Sequence, residues 1–180
     1  MKRNAVLVIL LLTILFTNGC GTELIQRAES NYLARDYQPA AQLFDLYLTD
    51  HPDAFVARRR LGHALLKTGH PREAAFQFEK VIASHPGDSL SYLYLGLTYL
   101  HLADYPKTMA AWQQYEAIGK PLIISEVNRQ TPLITEAIQK NLPDDGLNDL
   151  AKKIESAIEQ AISADQLRND YNRSRLGECG

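Results

Sequence analysis

Five histidines (His51, His63, His70, His85 and His101) and two cysteines (Cys20 and Cys179) are the residues whose chemistry could hold a metal or attack a substrate. Their spacing argues against both. His51 and His85 stand 34 positions apart, each just before a proline. Residues in such register fall on successive structural units, too sparse for the four ligands a structural zinc site needs. His70 lies in a Thr-Gly-His-Pro turn and reads as solvated. The chain has no G-x-S-x-G, HExxH, CxxC or glycine-rich phosphate loop. Asn172-Arg173-Ser174 has the form of a glycosylation sequon. These patterns point to no enzyme, no metal and no cofactor.

The elements behind those residues must then carry a binding role. The chain has 180 residues, 46% apolar and 22% charged, which is globular composition with length for one domain. Its net charge of -2 provides no basic face for nucleic acid. Lys2 and Arg3 precede an apolar run from Ala5 to Phe16, broken only by Thr13, and then Thr17-Asn18-Gly19-Cys20. A basic start, a short apolar middle and a small residue before a cut form a secretory signal. Twelve helical residues reach about 18 Å, short of a ~30 Å hydrocarbon core. Gly19-Cys20 resembles the lipobox of bacterial lipoproteins, although Thr17 stands where leucine is usual. The resemblance implies cleavage after residue 19, fatty acylation at Cys20 (palmitate among the chains), and a lipid-anchored, periplasm-facing protein. Gly21 is not the aspartate of inner-membrane retention, which favours the outer membrane.

A period of 34 runs through the next hundred residues. Pro52 and Pro86 share it, as do Tyr37, Pro71 and Tyr105; Ala40, Ala74 and Thr108; Phe44, Phe78 and Trp112; and Gly62 and Gly96. Each unit reads as two helices. Tyr92, Leu95, Gly96 and Tyr99 recur at i, i+3, i+4 and i+7, and breakers separate the halves at Thr68–Pro71 and Ala103–Pro106. Leu61-Gly62-x2-Leu65 with Ala74-x3-Phe78, and Tyr92-x2-Leu95-Gly96-x2-Tyr99 with Thr108-x3-Trp112, resemble the tetratricopeptide repeat. Arg58 stands in an aromatic column. The first unit keeps Ala40-x3-Phe44 and Pro52 but has Arg27, Ala28 and Asn31 in its first helix.

The resemblance implies an all-α helical-hairpin solenoid of three units, 21–54, 55–88 and 89–122, followed by capping helices over 123–167 and a polar tail over 168–180. Thr131-Pro132 reads as the N-cap and first residue of a helix running to about Leu142. A longer helix after Pro143–Gly146 carries Leu147, Leu150, Ala151, Ile154, Ile158 and Ile162 on one stripe. That stripe either closes the end of the solenoid or docks on a partner.

In the family the first helix of each unit lines a concave groove. The positions left after core assignment are Ile25, Glu29 and Tyr32; Val56, Arg59, His63, Leu66 and Lys67; and Leu90, Leu93, Leu97, Leu100 and His101. Arg59, His63 and Lys67 step by four, a basic stripe for a partner segment with apolar side chains and a carboxylate. Ile25 and Glu29 depart from the carboxylate clamp of the co-chaperone members. The expected role is a protein-interaction adaptor or scaffold of the envelope. The alternative is an escort factor for an outer-membrane, pilus or secretion component. Partners are other envelope proteins or peptides, with no nucleic acid and no small-molecule substrate.

Overall fold

The computed structural model describes residues 22–177. Cys20, Cys179 and the signal segment lie outside them. The described residues form helices joined by short turns: α1 (residues 22–33), α2 (Tyr37–Asp50), α3 (Phe55–Lys67), α4 (Pro71–Ser84), α5 (Ser89–His101), α6 (Tyr105–Ile118), α7 (Pro121–Gln139) and α8 (Asp144–Gly177). Two compact units divide within α4, at Val81 and Ile82.

Left-handed residues end α1, α3 and α5: Arg35 at φ 64°, Gly69 at 81° and Ala103 at 56°. At each, the next residue's N–H reaches back to a carbonyl five residues earlier: Asp36 to Asn31, His70 to Leu65, and Asp104 to Tyr99. This closure satisfies carbonyls a helix end would orphan. The three positions form another 34-residue column, in which only one member is glycine. Two helices, α5 and α6, start on side-chain caps. Asp88 accepts from the Ser91 N–H at 3.2 Å and the Ser91 hydroxyl at 2.6 Å; Asp104 accepts from the Lys107 N–H at 3.3 Å, with Pro106 in the first turn of α6.

In the first unit, Ala28, Ala40, Ala41, Phe44, Leu48, Ala57, Leu61 and Ala64 make one core cluster. Small residues and rings pair across the hairpins. A Cβ added at Gly62 would lie 2.9 Å from the Phe78 ring, and one added at Gly96 in the second unit 2.1 Å from the Trp112 indole nitrogen. Phe44, Phe78 and Trp112 are each at most 1% exposed. Phe78 and Trp112 thus lie on the glycine of their own hairpin. Arg58, in its aromatic column, instead donates to the Gln77 side chain at 3.0 Å and the Pro52 carbonyl at 2.7 Å.

The C-terminal helices differ from the sequence reading in two ways. α7 starts at Pro121 and runs through Thr131-Pro132, so that pair is no helix start. Ile123, Val127, Gln130, Ile134 and Ala137 are buried along it at spacings of four and three. Burial of that continuous stripe outweighs the missing proline N–H, and the Thr131 hydroxyl is spent on the Val127 carbonyl at 2.9 Å. α8 continues to Gly177 where a loose tail was expected from residue 168. No breaker interrupts it before that glycine, and Arg168 and Asn169 bond back to Asp165 at 3.0 Å. Within the second unit α8 packs against both α7 and α5.

Candidate functional site

The expected groove residues fall into two sets, one in each unit. In the first unit, α1 and α3 place Ile25, Glu29 and Val56 around one hollow of about 370 Å³. Tyr47, Asp53 and Phe55 join its wall, beside Ala54 and Ala57. Those three were missed because they sit at the α2–α3 corner, outside the helix face from which groove positions are counted. Val56 is 37% exposed there.

Along α3, the expected basic stripe separates into different environments. Arg59 and Lys67 are half-buried. His63 is 6% exposed, and its Nδ1 lies 2.7 Å from the Tyr32 hydroxyl. The His63 ring meets Tyr32 and Tyr37 edge-on at 5.5 and 5.6 Å between centroids. So His63 and Tyr32 fasten α1 to α3, and Leu66 is buried too, at 6%. Arg60, which sequence reasoning passed over, forms an ion pair with Glu29 and stands 5.5 Å over the Tyr32 ring. Its signal was available in principle, since one basic residue lay in reach of a lone groove acid. Burial lowers the pKa of its guanidinium.

In the second unit the leucines on α5 are not open to solvent. Leu93, Leu97 and Leu100 are 0%, 1% and 4% exposed. They share a stripe with His101 at i, i+4, i+7 and i+8, and His101 Nε2 lies 2.8 Å from Glu155 Oε2 of α8. The face expected to receive a partner is therefore turned toward the chain's own last helix. The sequence signal was the all-round apolarity of Ser89–His101, a pattern of helices buried on more than one side.

A second tie holds α8 further along. Asp165, 2% exposed, accepts from Lys120 Nζ at 2.5 Å, Arg168 at 3.0 Å and Asn169 at 3.0 Å. The Lys120 hydrogen bond, aided by the Lys120 and Arg168 charges, holds the Asp165 pKa below the usual aspartate value against the opposing effect of burial. Tyr115 lies beside this tie. Burial chiefly raises its hydroxyl pKa, a hydrogen bond from the Lys120 N–H opposes that, and the Asp165 charge adds to it.

The sign of the Asp165 contribution follows from its depressed folded pKa. The stabilisation is complete above the unfolded value, about 3.9, and is lost as pH falls through the folded one. Urea midpoints measured from pH 7 down to pH 2 should therefore drop more below about pH 4 in the native protein than in Asp165→Asn, the two curves converging in acid. Curves parallel over the whole range would exclude this role.

Among the described residues no cluster of three or more His, Cys, Asp or Glu could hold a metal ion, and no helix is long and apolar enough to cross a membrane. No protein-family profile matches the chain, and no curated protein matches it. Solved structures do. The crystal structure of MamA superposes with a TM-score of 0.59 at 17% identity, covering 83% of this chain and 82% of that one. The MamA RS-1 ArsTM double mutant gives 0.59 at 23% identity, over 81% and 77%. The fold is a tetratricopeptide-type helical solenoid. This all-α fold class carries hairpins with small residues under aromatic ones, here Gly62 under Phe78 and Gly96 under Trp112.

Proposed function

We propose that this tetratricopeptide-type chain is a protein-interaction adaptor of the bacterial envelope, tethered by acyl chains on Cys20 and facing the periplasm. The observation that carries the binding role is the hollow on the first unit, where Ile25, Glu29 and Val56 converge. The recess suits an apolar side chain of a partner segment, and Arg59 and Lys67, half-buried on the same helix α3, are the cations that would meet a carboxylate elsewhere on that segment. The tether is supported by the basic start, the apolar run and Gly19-Cys20. Two or more acyl chains hold a protein at a membrane where one is marginal. The outer membrane is the preferred location, on the strength of Gly21.

The test is cross-linked affinity recovery from membranes with partners identified by mass spectrometry. Native protein is expected to recover a small reproducible set, and Arg59→Glu with Lys67→Glu to lose at least part of it. Cys20→Ala should move the protein from the membrane to the soluble fraction. Recovery untouched by the double reversal would reject the cationic part of the surface, and Cys20→Ala still in the membrane fraction would reject the anchor.

A further inference from the structure

A second hollow, of about 320 Å³, opens in the first unit between α2 and α4, with α3 beneath it. Leu61, Leu65 and Thr68 recur along α3 at i, i+4 and i+7 and line its floor. At about 100° of turn per residue they lie on the side of α3 opposite to Arg59, His63 and Lys67. Ala41 and Leu61 are buried and Leu65 is half-buried, so the floor is largely apolar. The rim is polar. α2 brings Gln38, Gln42 and Asp45, and α4 brings Glu73 and Gln77. Two carboxylates on separate helices thus border one space, and no lysine or arginine is among its lining residues. Arg58, which is bonded to Gln77, has its guanidinium committed to that amide oxygen and to the Pro52 carbonyl. The repeat accounts for the room. One period on, Gln42 and Leu65 correspond to Phe76 and Tyr99, so an amide and a short branched chain stand here where the next unit carries rings.

We propose that this hollow is a second binding site and that it takes an arginine side chain presented by a partner polypeptide. Asp45 and Glu73 give the lining a formal charge of -2 with His70 neutral, which selects a cation. The apolar floor suits the methylene stem of a long basic side chain. A guanidinium is a planar fork of five N–H donors, so it can bridge carboxylates on two walls, with the amide oxygens of Gln38 and Gln42 as further acceptors. An ammonium is a compact point charge and spans two acceptors of this kind less well. The site goes beyond the adaptor reading and does not rest on it. It belongs to the second helices of the hairpins and to the far side of α3 from the cations used there.

The probe is the capped peptide acetyl-Gly-Arg-Gly-amide, titrated into the purified full-length protein and followed by the shifts of backbone amide NMR signals. Saturable shifts are expected in residues 38–45, 61–68 and 73–77. The same peptide with lysine should bind more weakly. With citrulline, which keeps the shape and removes the charge, it should lose about tenfold or more in affinity. Asp45→Asn with Glu73→Gln should weaken the arginine peptide by a similar factor. Leu65→Tyr gives the first unit the residue of the second and should fill the hollow, with loss of binding and a thermal midpoint no lower than native. Citrulline or lysine peptides as tight as the arginine one, shifts confined to the surroundings of Glu29 and Val56, or no saturable shift overturn the proposal. So does unchanged binding by a folded Leu65→Tyr protein; should that variant fail to fold, the Asp45→Asn, Glu73→Gln protein decides alone. The titration reads only the α2–α4 hollow, while partner recovery after reversal of Arg59 and Lys67 reads only the other side of α3, so each reading can fall by itself.

Discussion

Trp112→Ala is expected to lower the stability of the protein by about 3–5 kcal/mol, the range for deleting a fully buried large aromatic. The indole is 1% exposed, donates to the Leu93 carbonyl at 3.3 Å, and lies against Gly96. The second half of the expectation concerns its partner. Gly96→Ala in the native background sets a methyl 2.1 Å from Trp112 Nε1, and overpacking of this kind costs roughly 1–3 kcal/mol. In the Trp112→Ala background the same change meets a cavity and regains about 1 kcal/mol of helix propensity, so its sign reverses. Denaturant midpoints by circular dichroism on the four proteins of this cycle would show a coupling of more than 1 kcal/mol. Additive effects would mean that the ring does not occupy the glycine's space in solution.

The other large loss is expected at Phe44. This ring is fully buried among Ala28, Ala40, Ala41, Leu61 and Ala64, and meets Tyr32 edge-on at 6.0 Å. The other buried members of its core cluster are mostly alanines, which have no rotamers with which to refill a void. Phe44→Ala should therefore lie toward the upper end of the same ~3–5 kcal/mol range, while Phe44→Leu, which keeps most of the volume, should lose less than half as much. The urea midpoint measures both. A Phe44→Ala protein within 1 kcal/mol of native would show that the first unit relaxes around the cavity, against the packing described.

Where side-chain volume decides the structure, sequence was a good guide. The columns of Ala40, Ala74 and Thr108 and of Phe44, Phe78 and Trp112 are all buried, and the glycines lie under rings. Where backbone conformation decides, it was not. Arg35, Gly69 and Ala103 share a left-handed role, yet residue type announces it only at Gly69, because the flanking helices impose it on the other two. Thr131-Pro132 misled for a related reason. A cap signal is local, whereas the stripe from Ile123 to Ala137 is a longer-range demand that overrode it. The groove was partly legible. Ile25, Glu29 and Val56 do converge. The α5 leucines and His63 were expected at a surface because face counting within one helix contains no information about a distant helix, or a tyrosine from the preceding one, arriving to cover them.

The length of α8 turns a local event into a distant one. Its 34 residues span about 51 Å, against about 20 Å for the 13 residues of α5. The last residue of α8 described as buried is Asp165; residues 166–170 all face solvent. The turn over residues 140–143 is then a fulcrum, Glu155 a point near the pivot and Gly177 the end of the arm. A tilt of about 10° at that turn carries the far end through roughly 9 Å on a helix of this rise. The same tilt moves Glu155, eleven residues into the helix, by only about 3 Å, a third of the travel at the far end.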